Sequence, residues 1–285
     1  MLETRRFDDA DAFLDLAGQF LRASEPANML TLGSVGNLRL LGGRVIVGGL
    51  VAVLARGAVV ATGTWTGPWE LVLSEVEDPR AIEALVEAFA DDPLPGVHAP
   101  VEHAGSFATA WSARTGGTAR RILEERIHAL EQVTAPANVP GSLRRARPDD
   151  RDTLVDWMHA FDVESFGPEA GRRDVTTLAD ELVKSSHRRG YVWDDGGPVS
   201  TASTTGATPN GIRVGAVYTP PDHRGQGYAS ACVAAVSQLE LDAGRRWCFL
   251  FTDLTNPISN RIYRRIGYEP VRDVDIYRFE EPTGG

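Results

Sequence analysis

The run Trp247-Cys248-Phe249-Leu250-Phe251 constrains this chain more than any other segment. A strand with one wet face alternates polar and apolar residues, so an unbroken apolar run fits a strand buried on both faces. Such a strand needs helices above and below it, which predicts a layered α/β or α+β sheet. Upstream, Ile212, Val214, Ala216 and Tyr218 alternate around Arg213, Gly215 and Val217 and read as a second strand, stopped by Pro220 and Pro221. The glycine-rich piece Asp222-His223-Arg224-Gly225-Gln226-Gly227-Tyr228-Ala229-Ser230 follows. Apolar positions 229, 232, 233, 236 and 239 then recur at helical spacing until Gly244 ends the helix. After the apolar run, Asn256 is placed to cap a helix that has Pro257 at its first position and Gly267 at its stop. Ile258, Ile262 and Ile266 fall at i, i+4 and i+8 and are expected to supply its core face, with Asn260 and Tyr263 together on an adjacent face.

A strand, a glycine turn and a helix start make an anion site. Glycines let backbone N–H groups converge on a phosphate, and the helix dipole adds attraction. Arg224 can add a charge-assisted contact. The turn lacks the Lys-Ser/Thr ending of a nucleoside-triphosphate loop. As a dinucleotide fingerprint it has Ser230 at the third glycine position, and Pro220 to Arg224 separate strand from turn. A nicotinamide-dependent oxidoreductase with Asp253 as ribose ligand would therefore leave Asn260 and Tyr263 unexplained.

The segment closely resembles the GNAT superfamily of N-acetyltransferases. The family signature Arg/Gln-x-x-Gly-x-Gly/Ala is matched by Arg224-x-x-Gly227-x-Ala229, and Asn-x-x-Tyr-x-x-x-Gly-Phe/Tyr by Asn260-x-x-Tyr263-x-x-x-Gly267-Tyr268. The resemblance spans about residues 142–280 and implies a mixed sheet splayed at the cofactor strands. It implies acetyl-CoA as cofactor, with the pyrophosphate on backbone N–H groups of Arg224, Gly225, Gln226, Gly227, Tyr228, Ala229 and Ser230. Pantetheine would lie along Val217-Tyr218-Thr219, with Asn256, Asn260 and Tyr263 completing the cofactor set. The implied reaction is direct attack of a primary amine on the thioester in a ternary complex. Backbone N–H groups near Val217 would bind the carbonyl oxygen, and Tyr263 would donate a proton to the thiolate. Many relatives keep a glutamate in the strand equivalent to Gly211–Thr219, which here holds no carboxylate; Glu164 is the first substitute for the base and Asp253 the second. The alternative within the same fold is a non-catalytic CoA-binding sensor or scaffold.

A related opening occurs twice. Arg5-Arg6-Phe7-Asp8-Asp9 and Arg144-Arg145-Ala146-Arg147-Pro148-Asp149-Asp150 are basic strand-like pieces running into acidic clusters and then apolar-periodic helices. Residues 133–142, rich in Pro, Ala, Asn and Gly, read as a linker. The expected layout is two GNAT-like domains, each a mixed central sheet flanked by helices: a degenerate copy at 1–135 and a catalytic one at 142–285. In the first, Leu71 to Pro79 enters the helix without glycine and with Glu75, Glu77 and Asp78, which would repel a pyrophosphate. A net charge of -10 argues against nucleic acid and is permissive for cationic amines, whether small molecules or peptides. Cys232 and Cys248 fall on apolar patterns and read as buried hydrophobes, and the scattered histidines form no metal-ligand spacing. No apolar stretch approaches the ~20 residues of a membrane helix and no signal peptide opens the chain, so a cytoplasmic monomer or homodimer is expected.

Overall fold

A computed structural model describes residues 1–45, 47–167 and 174–281. Ile46 lies outside the described residues. The first half of the chain runs β1 (Leu2–Phe7), α1 (Ala10–Ala23), α2 (Met29–Leu40), β2 (Gly48–Ala55), β3 (Ala58–Thr66), β4 (Leu71–Leu73), α3 (Ala81–Ala88), β5 (Gly96–Pro100), α4 (Val101–Thr115) and β6 (Thr118–Leu130). The second runs β7 (Ser142–Arg145), α5 (Arg151–Phe166), α6 (Thr176–Lys184), β8 (Arg189–Asp194), β9 (Pro198–Thr205), β10 (Gly211–Tyr218), α7 (Tyr228–Asp242), β11 (Trp247–Asp253), α8 (Pro257–Ile266) and β12 (Glu269–Glu280). The two orders are identical, and so is the pairing: three antiparallel ladders followed by a parallel one, β4 with β5 and β10 with β11. The chain thus carries one α/β fold twice, as the paired openings predict.

The openings differ in detail. Asp9 caps α1, its carboxylate accepting from the Ala12 N–H at 2.8 Å. Asp150 instead accepts from the Arg147 N–H at 2.7 Å and receives the Arg144 guanidinium on both oxygens, at 2.6 and 2.8 Å. Helix α2 has no counterpart in the sequence reading. Gly33 and Gly36 weaken its helical pattern by about 1 kcal/mol each relative to alanine. Burial of Met29, Leu32 and Val35 overrides that local cost.

Two compact units emerge. The first comprises Met1–His128, Phe251–Pro257 and Pro270–Gly285; the second comprises Ala129–Leu250 and Ile258–Glu269. The sequence boundaries of 1–135 and 142–285 differ from these at the C-terminus, because β12 lies in the first unit between β5 and β6. In that unit both sheet faces are covered: Leu50, Ala52 and Leu54 of β2 join a core with α1 and α2, while Val51 and Val53 join one with α3 and α4. In the second unit Val192 of β8 packs with Leu154, Met158 and Leu182, whereas Tyr191 and Trp193 pack with Cys232, Val236, Cys248 and Leu250. The apolar run at 247–251 is accordingly a strand with both faces covered.

Cys232 and Cys248 are fully buried in that second core. Burial pushes each thiol from its ordinary 9.0 up to about 12. The folded state therefore keeps both thiols neutral while an unfolded chain ionises them above pH 9, so stability is intact below pH 9 and falls as pH rises toward 12. By pH 10.5 the loss should reach about 2 kcal/mol per thiol. Thermal melts at pH 8 and 10.5 check this, and Cys232→Ala should shrink the pH-dependent difference.

Candidate functional site

The turn between β10 and α7 is built to present backbone donors. Pro220 ends the strand, a 3-10 turn follows at Pro221–His223, and α7 begins at Tyr228. Gly225 (φ 78°) and Gly227 (φ 85°) adopt the left-handed region that favours glycine. A Cβ at Gly225 would meet nothing within 4 Å, and one at Gly227 would press on Val139 at 3.1 Å. The N–H groups of His223 and Arg224 close onto Pro220 and Pro221. Among the described residues, no backbone hydrogen bond outside regular elements takes the N–H of Gly225, Gln226 or Gly227. Those of Tyr228, Ala229 and Ser230 are the free donors of a helix start. These six amides on one turn at the positive end of a helix fit a diphosphate. Tyr228 anchors the turn from beneath: its ring is buried and its hydroxyl donates to Asp195 at 2.6 Å, a bond that raises the phenol's pKa.

Strand β10 opens beside this turn. Its parallel ladder with β11 holds three pairs, Gly211↔Trp247, Ile212↔Cys248 and Arg213↔Phe249, and goes no further. On the other edge the register with β9 slips, since Gly215 faces Ser203 and Tyr218 faces Thr201. Among the described residues, Ala216 and Val217 thus have no register partner on β9 or β11, and Ala216 sits at φ 47°. A left-handed alanine costs about 1 kcal/mol or more, held here by the bulge. Alanine gives no hint of positive φ, so this feature is invisible in the sequence. Ser203 and Ser200 brace the bulged end by donating to the carbonyl oxygens of Gly215 and Tyr218 at 3.0 and 3.1 Å. Ser200 also meets the Thr219 hydroxyl at 2.8 Å.

The Tyr218 ring is buried beside Trp157, its hydroxyl donating to Glu164 at 3.2 Å. Glu164 itself, near the end of α5, is held on both oxygens by Arg224, at 2.8 and 2.9 Å. The residue expected to serve as base and the arginine expected to contact the phosphate are thus paired with each other. Asp253, the second choice for base, accepts from both the N–H and hydroxyl of Thr255 at 2.7 Å. No sequence signal paired residues 164 and 224.

Asn256 immediately precedes Pro257 at the start of α8, and Asn260 and Tyr263 follow on that helix. The isoleucine stripe is graded rather than uniform: Ile266 is buried and Ile262 partly so, but Ile258 is 70% exposed, because only the C-terminal half of α8 packs on the core. Tyr263 is half-buried at the margin of that core, edge-on to Tyr268 at 6.0 Å. Desolvation, with Cys232 adding to it, pushes its phenol up to about 12. The hydroxyl stays protonated throughout the physiological range, the form a proton donor requires.

The equivalent region of the first half offers no such cradle. Between β4 and α3, Glu75 pairs with Arg272 at 3.1 Å and Asp78 with Arg80 at 2.6 Å, and the side-chain bond to Arg80 holds Asp78 down at about 2. Among the described residues, no group of three or more His, Cys, Asp and Glu could hold a metal ion, and no helix is long and apolar enough to cross a membrane.

Residues 142–269 match the acetyltransferase (GNAT) domain family model. No curated protein matches the chain significantly. Among solved structures, a Drosophila protein superposes with a TM-score of 0.69 at 14% identity, covering 98% of this chain and 99% of the other. A GCN5-related N-acetyltransferase from Sphaerobacter thermophilus gives 0.60 at 19% identity, with 100% and 96% covered. A tandem GNAT protein from the clavulanic acid biosynthesis pathway, solved without AcCoA, gives 0.55 at 18% identity over 100% of both chains.

Proposed function

We propose that this chain, whose residues 142–269 match the GNAT acetyltransferase domain model, transfers the acetyl group of acetyl-CoA to a primary amine by direct attack in a ternary complex. Acetyl-CoA supplies the activated acyl thioester. The observation that carries the reading is the turn Gly225–Ser230, whose unpaired amides stand next to a strand edge left open after Arg213. In this reading the amides of Gly225 to Ser230 bind the diphosphate, and the free edge Val217-Tyr218-Thr219 takes pantetheine through main-chain hydrogen bonds. The Val217 N–H, on the irregular stretch of β10 between Gly215 and Tyr218, would polarise the reacting carbonyl. Asn256 and Asn260 hold the cofactor arm, and the Tyr263 hydroxyl donates toward the departing sulfur. The acceptor is a small-molecule or peptide amine that attacks in its neutral form, which suits a protein of net charge -10 that attracts cations.

Calorimetric titration with acetyl-CoA, followed by free-thiol release against an amine panel, tests this. The wild type should bind acetyl-CoA and release thiol with at least one amine. Gly227→Val forces a β-branched residue to φ 85° against Val139 and should weaken acetyl-CoA about ten-fold or more. Absence of acetyl-CoA binding, or equal binding by Gly227→Val, would sink the proposal.

A further inference from the structure

Glu164 and Arg224 stand 60 residues apart in sequence yet meet as an ion pair, the single Arg224 Nη2 lying 2.9 Å from Oε1 and 2.8 Å from Oε2. The Arg224 Nε–H donates to the Thr219 carbonyl at 2.8 Å, tying together the two ends of the Pro220–His223 turn. The same guanidinium lies over the Tyr218 ring at 5.6 Å, and the Tyr218 hydroxyl donates to Glu164. All of these contacts draw the side chain toward α5 and the end of β10. Its Nε and Nη2 edges are already committed.

We infer that Arg224 and Glu164 form a clamp that fixes how the chain enters the amide turn, with Glu164 a positioning residue for coenzyme binding and not the proton acceptor; the coenzyme part rests on the acyl-CoA reading above. The diphosphate can be gripped only if several amides converge at once, and their directions are set by the backbone leaving Arg224. A guanidinium on a flexible stem holds that backbone only when its far end is fixed, and the Glu164 carboxylate fixes it. Both side chains are close to half exposed, at 46% and 45%, so the pair's contribution is that of a well-aligned surface pair, up to about five-fold in an equilibrium. Had Glu164 merely occupied the place of a phosphate on Arg224, its removal would tighten coenzyme binding. The clamp requires the opposite sign.

Glu164→Gln, Arg224→Gln and the double variant test this in the full chain. Each single variant should raise KM for acetyl-CoA about five-fold, with the loss in KM rather than kcat, and the double variant should be no worse than either. With S-acetylpantetheine, which lacks the diphosphate, the variants should match wild type. Hydrogen exchange at the His223 and Arg224 amides, measured without ligand, should quicken in both single variants. Unchanged exchange overturns the clamp, as does a lowered KM in Glu164→Gln. A fall in kcat with a displaced pH profile in Glu164→Gln would make that residue the base, and a much larger KM effect in Arg224→Gln than in Glu164→Gln would make Arg224 a direct phosphate ligand; either overturns the clamp. Should the wild type bind no acetyl-CoA, the functional reading fails while the exchange measurement still decides the clamp.

Discussion

Tyr263→Phe should lower turnover about 100-fold and leave the fold and acetyl-CoA affinity nearly unchanged. The ring contributes to the core margin through its edge contact with Tyr268, and phenylalanine keeps that contact. Only the hydroxyl is lost. With the phenol at about 12 against a thiol near ~8.5, full proton transfer to the thiolate is uphill in the resting protein, so in the proposed reaction the hydroxyl would donate a hydrogen bond to the charge that develops on sulfur. Such a donor stabilises the transition state and not the bound thioester, which is why kcat should fall and KM should not. The sign with pH follows as well. Because burial raises the phenol above its ordinary 10.0, Tyr263 stays a donor up to about pH 11, and no alkaline decline in kcat below that value should vanish in the variant. Steady-state kinetics from pH 7 to 10.5 on both proteins decide this, and equal kcat values would remove Tyr263 from the chemistry.

What the sequence revealed of this site tracks which parts rest on local rules. The covered strand at 247–251, the glycine turn and the proline-started helix α8 all follow from short-range preferences and stand where those preferences put them. The parts it concealed depend on tertiary partners. Ala216 adopts a conformation that its residue type disfavours, held by neighbours on β9. Glu164 is an ordinary helical glutamate until the fold brings Arg224 onto it. Ile258 satisfies the helical period but is largely exposed on the first turn of α8. Helix α2 forms against its glycines because three large side chains find a core.

The largest effect should come from a cut that sequence order would place in the second domain. Truncation after Glu269 removes β12 from between β5 and β6 and should unfold the first unit, although every element of the first half stays in the chain. Five residue pairs, Val274↔Pro100 through Arg278↔Gly96, join β12 to β5. Asp273 grips Arg126 at 2.6 and 2.9 Å, and Val274 is buried while Tyr277 and Phe279 pack against the core of that unit. Phe279 also stacks on Trp111 at 5.3 Å. Three such side chains at about 2 kcal/mol each, plus several ladder hydrogen bonds at about 1 kcal/mol each, together match the 5–15 kcal/mol that holds a domain folded. A fragment of residues 1–135 should fail for the same reason. Gly96 offers a gentler version, since a Cβ there would stand 2.1 Å from the Tyr277 carbonyl oxygen. Gly96→Val must push β12 away from β5 and should lower the melting temperature of the full chain. Circular dichroism melts and limited proteolysis of the truncated and Gly96→Val chains provide the measurement, and a truncated chain whose first unit melts cooperatively at the wild-type temperature would show that β12 does not hold that unit together.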